Sequence, residues 1–370
     1  MDLPSRREIL AAGSAFAAAP AWIACAGGPL HVTSSPTRDT SGDTLRELLA
    51  WNRTKHPRYR GGLANHLSMA LWSQHSLGAG EARLREFAAS YGAMLESMPT
   101  AGPPVDAKEW RQALGRDEAL HGFVAHFERE LRERGRAAVL HDALDALSPS
   151  VGSAAFHCLI RTAFGVRFED DAEIAHALAY WAVTASTLGT PSANPTDEKD
   201  PGAVLQRVRS DERFSKASIS GGSIDGRMKQ AAAIPGFSDL ASSLVLDDAA
   251  LASIAREMIG LFASTGNFTA LHAVTSTHAL RIVLPFAADR ERLMRFHWQA
   301  LVAAYIGIGA PAAQALKLEG APEWPAIGAR AVASNDDHDA KLVFACREEA
   351  AIHGEGAYRL AAARRVKLAS

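Results

Sequence analysis

Five histidines, His66, His157, His272, His278 and His338, fall inside segments whose apolar residues recur at helical spacing. A helix carried into a core takes every residue of its inner face with it. Each imidazole placed there needs a hydrogen-bond partner or an ion. One such histidine is ordinarily a satisfied core residue, but five in one chain strain that reading. Imidazole is the commonest metal ligand type and suits Fe, Zn, Cu and Ni. The segments themselves are Leu63–Trp72, Gly152–Phe164, Phe268–Arg281 and Asn335–Glu349, each read as a helix.

The last of these is the most demanding. Asn335 or Asp336 suits its N-cap, and Leu342, Val343 and Cys346 form its apolar face. His338 and Lys341 are three residues apart, about 60° around a helix, so they share a face. Burying a lysine beside a histidine costs several kcal/mol unless both are satisfied. Hydrogen-bond partners within a capped helix satisfy them on one reading, a metal ion on the other. A protonated lysine cannot ligate a cation. A neutral or carboxylated Lys341 can, and the alternative is an ion pair with Asp337 or Glu348. His272 and His278 are six apart, about 120° around one helix. Both reach one ion only if that helix is distorted or the ion lies between them, so one of the two is expected to sit behind the ligands or face substrate.

The remaining chain is also helical in pattern. Thr44–Asn52, Glu81–Met98, His121–Gly135, Ala137–Leu147, Asp171–Leu188, Ala249–Ala263, Phe296–Gly307 and Ala357–Val366 read as helices, and no segment alternates with period two for long enough to require a sheet. Alanine is abundant, and only 7% of the residues are aromatic. The expected fold is all-α, a single multi-helix domain interrupted by a long glycine- and proline-rich loop or lid, Gly189–Asp239, with a short helix at Gly202–Ser210. His126 and His297 read as lying in polar or mixed surroundings.

Ser5-Arg6-Arg7 followed by an alanine-rich apolar stretch looks like a twin-arginine export leader. Residues 1–26 are expected to be that signal peptide, 27–43 a linker, and 44–370 the helical domain. Export to the periplasm without stable membrane insertion is the favoured outcome, with a lipid anchor at Cys25 as the alternative. After such a leader only Cys158 and Cys346 remain, either one disulfide or two small core residues. The formal net charge is −2 and no long basic run occurs, so nucleic acid is excluded as a partner.

Several short motifs occur in order along the chain: Asn65-His66-Leu67, Ala155-Phe156-His157, Leu178-Ala179-Tyr180-Trp181, Phe268-Thr269-Ala270-Leu271-His272, Thr277-His278-Ala279-Leu280-Arg281 and Asp336-Asp337-His338 with Lys341. Together they resemble the questin oxidase-like family over roughly residues 63–365. The resemblance implies an all-helical fold and a non-haem Fe(II) centre. It also implies O2-dependent oxidation or cleavage of an aromatic, anthraquinone-type substrate, with His66, His157, His272, His278, His338 and Lys341 around the ion. Arg161, four residues from His157, is then a candidate to hold a phenolate or developing oxyanion, with a structural salt bridge as the alternative. Asp337 is a candidate acid–base group. The chain has no flavin-binding motif. Gly307-Ile308-Gly309-Ala310-Pro311 comes closest but follows a helix, and nothing in the sequence supports NADPH. Two other function classes fit the same residues: a metal-dependent hydrolase with Asp336 or Asp337 as base, and a non-catalytic periplasmic binding protein stapled by its metal.

Overall fold

The computed structural model describes residues 40–192 and 197–369. Seventeen α-helices occur among them. In chain order these are α1 (Ser41–Asn52), α2 (Leu67–Ser76), α3 (Glu81–Gly92), α4 (Leu120–Arg134), α5 (Arg136–Leu147), α6 (His157–Arg167), α7 (Asp171–Thr184), α8 (Pro201–Ser210) and α9 (Glu212–Ser215). They continue as α10 (Ile224–Ala232), α11 (Phe237–Ser242), α12 (Ala250–Thr265), α13 (Phe268–Val283), α14 (Arg290–Ile306), α15 (Trp324–Val332), α16 (Asp337–His353) and α17 (Gly356–Arg365). The described strands are two residues long each: β1 (Arg58–Tyr59) pairs antiparallel with β2 (Leu63–Ala64). Residues 40–370 form one compact unit, and the all-α expectation holds.

Four helices make the frame that matters. α2 packs on α6, α6 on α13, α13 on α16, and α16 back on α2, closing a circuit. Residues Leu67 to Gln74 of α2 are all buried, as are Thr269 to Leu280 of α13. Helices buried on every face are central helices, even though these two carry Ser, Thr, Gln and His among their buried residues. Each fully buried leucine or valine here contributes roughly 1.5–3 kcal/mol. α7 covers α6 and is itself covered by α4, α12 and α14 cover α13, and α17 covers α16.

Side-chain caps explain several of the helix starts. Asn267 accepts from the Thr269 and Ala270 amides at 2.8 and 3.3 Å, and Asp336 accepts from the His338 amide at 2.9 Å, so Asp336 rather than Asn335 caps α16. Asp200, Asp211 and Ser223 cap α8, α9 and α10 in the same way. These caps start three of the four helices in the glycine- and proline-rich region expected as loop with one short helix; the fourth, α11, follows Gly236 without a side-chain cap.

Two histidine segments depart from the expected helices. Leu63–Trp72 is not helical throughout: Leu63 and Ala64 form β2, and His66 is the N-cap of α2. Gly152–Phe164 is broken before His157 by three successive left-handed residues, Ala154 (φ 49°), Ala155 (φ 55°) and Phe156 (φ 67°). Left-handed backbone costs an L-residue about 1–2 kcal/mol, so this turn is held by its surroundings rather than by preference. The expected helix Glu81–Met98 ends at Gly92, and Ser97 then bridges Lys55. Cys158 and Cys346 are both free and buried, which selects the core reading over the disulfide. His126 and His297 are buried rather than in mixed surroundings.

No helix among the described residues is long and apolar enough to cross a membrane. The expected leader, its cleavage site and Cys25 lie outside the described residues.

Candidate metal centre

The four-helix circuit brings four imidazoles into a circuit of their own. His66 and His157 stack with centroids 4.5 Å apart, and His157 meets His272 edge-on at 4.8 Å. His272 meets His338 at 5.3 Å, and His338 closes on His66 at 4.7 Å. Each ring comes from the N-terminal end of its helix: His66 caps α2, His157 opens α6, His272 lies in the second turn of α13, and His338 is the second residue of α16.

Every Nδ1 in this set is turned toward an oxygen that can only accept. His157 Nδ1 donates to the Ala154 carbonyl, and His272 Nδ1 donates to the Phe268 carbonyl at 2.8 Å. His66 Nδ1 donates to Asp337 Oδ2. His338 Nδ1 lies 3.2 Å from the same Oδ2 and 3.3 Å from Asp336 Oδ1. With the proton fixed on Nδ1, each neutral ring presents a bare lone pair at Nε2. The His66 and His338 Nε2 atoms are buried without a hydrogen-bond partner. The His157 and His272 Nε2 atoms face each other at 3.2 Å. One nitrogen from each of His66, His157 and His338 lies within 4.8 Å of the others.

Protonation does not resolve this crowding of lone pairs. Burial, aided by the Lys341 charge, pushes His66 down to about 3. Burial and the neighbouring rings push His157 and His272 well below the usual histidine range. A divalent ion does resolve it. Two nitrogens about 2.0–2.1 Å from one ion stand about 2.9 Å apart at a right angle and about 3.3 Å apart at the tetrahedral angle, and the observed pair falls between. The residues fit a nitrogen-ligated transition metal, with Asp337 and the two carbonyls fixing the rings from behind.

Asp337 is the hub of the outer layer. Its Oδ2 meets His66, His338 and, at 3.2 Å, the ammonium of Lys341. Burial alone would raise this carboxyl, but the N–H groups of His66 and His338 and the charge of Lys341 hold it well below the usual range. Lys341 is itself buried, and burial lowers its amine despite Asp337. Asp336, the other carboxylate considered as a base, is bound by Arg365.

The structure does not bring His278 to this cluster. Its Nε2 lies 2.8 Å from Glu348 Oε2, and its ring meets Phe344 edge-on. Arg161 is also apart: its Nε donates to Glu173 Oε1 at 2.6 Å, both groups are buried, and Ser68 Oγ donates to the same oxygen at 2.7 Å. Burial alone would raise the Glu173 carboxyl, but Arg161 and Ser68 hold it below its ordinary value.

A cavity of about 720 Å³ opens directly onto the four rings. His66, His157, His272 and His338 form one wall, with Ala154, Ala155 and Phe268. Tyr180 and Thr184 of α7 line it, as do Arg58 from β1 and residues from Gly222 to Lys229 of the glycine-rich region. Arg161, His278 and Lys341 do not line it. Phe268, 48% exposed, lays its ring edge-on to both His272 (4.8 Å) and His338 (4.7 Å). The sequence carries no local signal for the Ala154 carbonyl or Arg58 as site groups, while Phe268 and Tyr180 each sit in one of the short motifs without a role.

The chain is similar to a questin oxidase of Aspergillus terreus, 23% identical over 361 residues that take in 84% of this chain and 81% of the relative. The model of the questin oxidase-like family matches residues 63–346, from β2 through the cluster to the middle of α16. The chain belongs to the questin oxidase-like family.

Proposed function

We propose that this protein is a non-haem iron-dependent oxygenase that oxidises or cleaves an aromatic, quinone-like ring with O2. Family membership and the name of the A. terreus relative support an oxidoreductase acting on an anthraquinone-like compound. The observation that carries the metal is the grouping of one nitrogen each from His66, His157 and His338 within 4.8 Å, with His272 Nε2 facing His157 Nε2 at 3.2 Å and the His66 and His338 Nε2 atoms orphaned, beside a cavity of about 720 Å³. That volume suits a three-ring aromatic, since small-molecule sites span about 300–1,000 Å³.

In this reading His66, His157, His272 and His338 hold the ion. When bound, iron supplies the redox chemistry with O2 that no side chain here supplies. The chain's own contributions are fixed in place. Asp337 and the Ala154 and Phe268 carbonyls keep the protons on Nδ1, so the ligating nitrogens stay free. The N-terminal ends of α2, α6, α13 and α16 all meet at the cluster, and their dipoles favour negative charge on a substrate oxygen there. Phe268, Tyr180 and the apolar lining exclude water from the ring that reacts. Lys341 belongs to the same proposal, either as a carboxylated ligand or as the counter-ion of Asp337. The twin-arginine-like pattern of residues 5–24 supports export of this chemistry from the cytoplasm as part of the same reading.

The test is turnover of a hydroxyanthraquinone by Fe(II)-reconstituted protein, followed by oxygen uptake. Fe(II)-dependent consumption of O2 with loss of the quinone chromophore supports the reading. Activity that persists under argon, or with zinc in place of iron, contradicts it.

A further inference from the structure

One polar group in the cavity has no task in the account above. Tyr180 lies on α7 and lines the cavity, yet it is only 1% exposed and its hydroxyl has no hydrogen-bond partner among the described residues. A buried phenol left unpaired loses its water partners with nothing in return, so natural cores rarely keep one without a use. Arg58, also on the lining, is in the same position. One end of its guanidinium is tied to Asp117, while its Nε is buried and unpartnered.

The two groups are electrostatically linked. Burial pushes the Tyr180 phenol well above its ordinary value, against the pull of the Arg58 and Arg161 charges, so Tyr180 stays a neutral donor at any working pH. The Cys158 thiol and the Asp225 carboxylate also face it, and both oppose its ionisation. Asp225 is paired with Lys229 at 2.8 Å. Arg227, a third cation on the lining, donates only to neutral oxygens, Gly222 O at 3.0 Å and Thr269 Oγ1 at 3.2 Å. It has no carboxylate partner among the described residues, so the cavity carries an uncompensated positive charge.

Two orphaned donors and a surplus cation on one lining describe a receptor for an anionic oxygen. Resting on the aromatic-substrate reading above, we propose that Tyr180 Oη and Arg58 Nε form a subsite that binds an ionised phenolic oxygen of the substrate, with Arg227 supplying the balancing charge. The subsite selects a hydroxylated ring and holds it as the phenolate, an electron-rich form suited to oxidation. Tyr180 and Arg58 donate to that oxygen and are positioning residues.

The test uses 2-hydroxyanthraquinone, whose phenolate absorbs to the red of its phenol, and 2-methoxyanthraquinone, which cannot ionise. Each is titrated into the purified, metal-loaded protein and into chelated protein, with absorbance as the readout. The proposal expects the hydroxy probe to bind roughly 10-fold more tightly than the methoxy probe, a difference typical of one charge-assisted hydrogen bond. It also expects the phenolate band in the bound state at a pH one unit below the probe's solution pKa. Tyr180→Phe should remove that preference and the band shift while leaving methoxy binding and metal content unchanged and Tm no lower than wild type. Arg227→Gln should shrink the band shift. Equal binding of the two probes by wild-type protein, or a bound hydroxy probe that stays protonated, overturns the subsite and leaves the metal reading intact. A Tyr180→Phe protein indistinguishable from wild type does the same. Wild-type protein that binds neither probe overturns the aromatic-substrate reading, and the subsite with it.

Discussion

The Nε2 atoms of His157 and His272 face each other at 3.2 Å, each on a ring whose Nδ1 hydrogen is spent on a backbone carbonyl. Two lone pairs aimed at one another repel, and burial opposes the proton that would otherwise separate them. The local fold also invests strain in this arrangement, since the Ala154 carbonyl reaches His157 only through three left-handed residues.

The first prediction concerns the layer behind the ligands. Asp337→Asn keeps the shape but loses the charge that His66, His338 and Lys341 share. Outer-layer changes of this kind typically cost about 10–100-fold in metal affinity. A competition titration against a chelator of known affinity should show a loss in that range. Unchanged affinity would remove Asp337 from the site.

Lys341 is separated into its two roles by Lys341→Met. If the side chain is carboxylated and ligates, the variant should lose metal, bicarbonate should restore nothing, and Lys341→Glu should recover part of the binding. If it is the counter-ion seen beside Asp337 at 3.2 Å, Lys341→Met should keep a full metal complement. Metal content per chain, with and without added bicarbonate, decides between them.

Arg161→Met tests a residue that the sequence made a candidate for oxyanion binding. Removing it strands the Glu173 carboxylate in the core, and breaking a buried pair in this way costs about 3–5 kcal/mol. Urea denaturation should show that loss, and the Arg161→Met/Glu173→Met double variant should recover most of it. A single variant with normal stability and a selective loss of turnover would restore the oxyanion role.

Glu348 gives the fold an acid-sensitive element away from the four-ring cluster. Burial alone would raise its carboxyl, but hydrogen bonds and charge from His278 and Arg167 hold it at about 2, below the ordinary 4.5. A lowered folded-state value means the stabilisation is complete above pH 4.5 and fades as pH falls toward 2. A depression of this size corresponds to about 3 kcal/mol. Glu348→Gln should therefore lose about that much at pH 7, and the gap to wild type should close in urea melts below pH 3. A gap independent of pH would contradict the linkage.

The sequence and the structure agree where chemistry is local. The Asp336 cap, the run from Phe268 to Arg281 and the shared face of His338 and Lys341 all follow from spacing and capping. They part where tertiary contacts decide. Ser153-Ala154-Ala155-Phe156 contains no glycine to announce a left-handed turn, so His157 reads as mid-helix although it begins α6. His66 reads as helical because the apolar run around it is continuous, while the break at β2 comes from pairing with β1. His272 and His278 sit in equally apolar surroundings, and only the packing of α13 between α6 and α16 sends one to the cluster and the other to Glu348.

Metal content after reconstitution tests the account most directly. Protein incubated with Fe(II) under argon, desalted and analysed by elemental mass spectrometry should hold about one iron per chain, and His157→Ala and His272→Ala proteins of normal helical content should hold almost none. Wild-type protein that retains no stoichiometric transition metal, or single-histidine variants that retain it fully, would contradict the claim that these four rings are a metal centre.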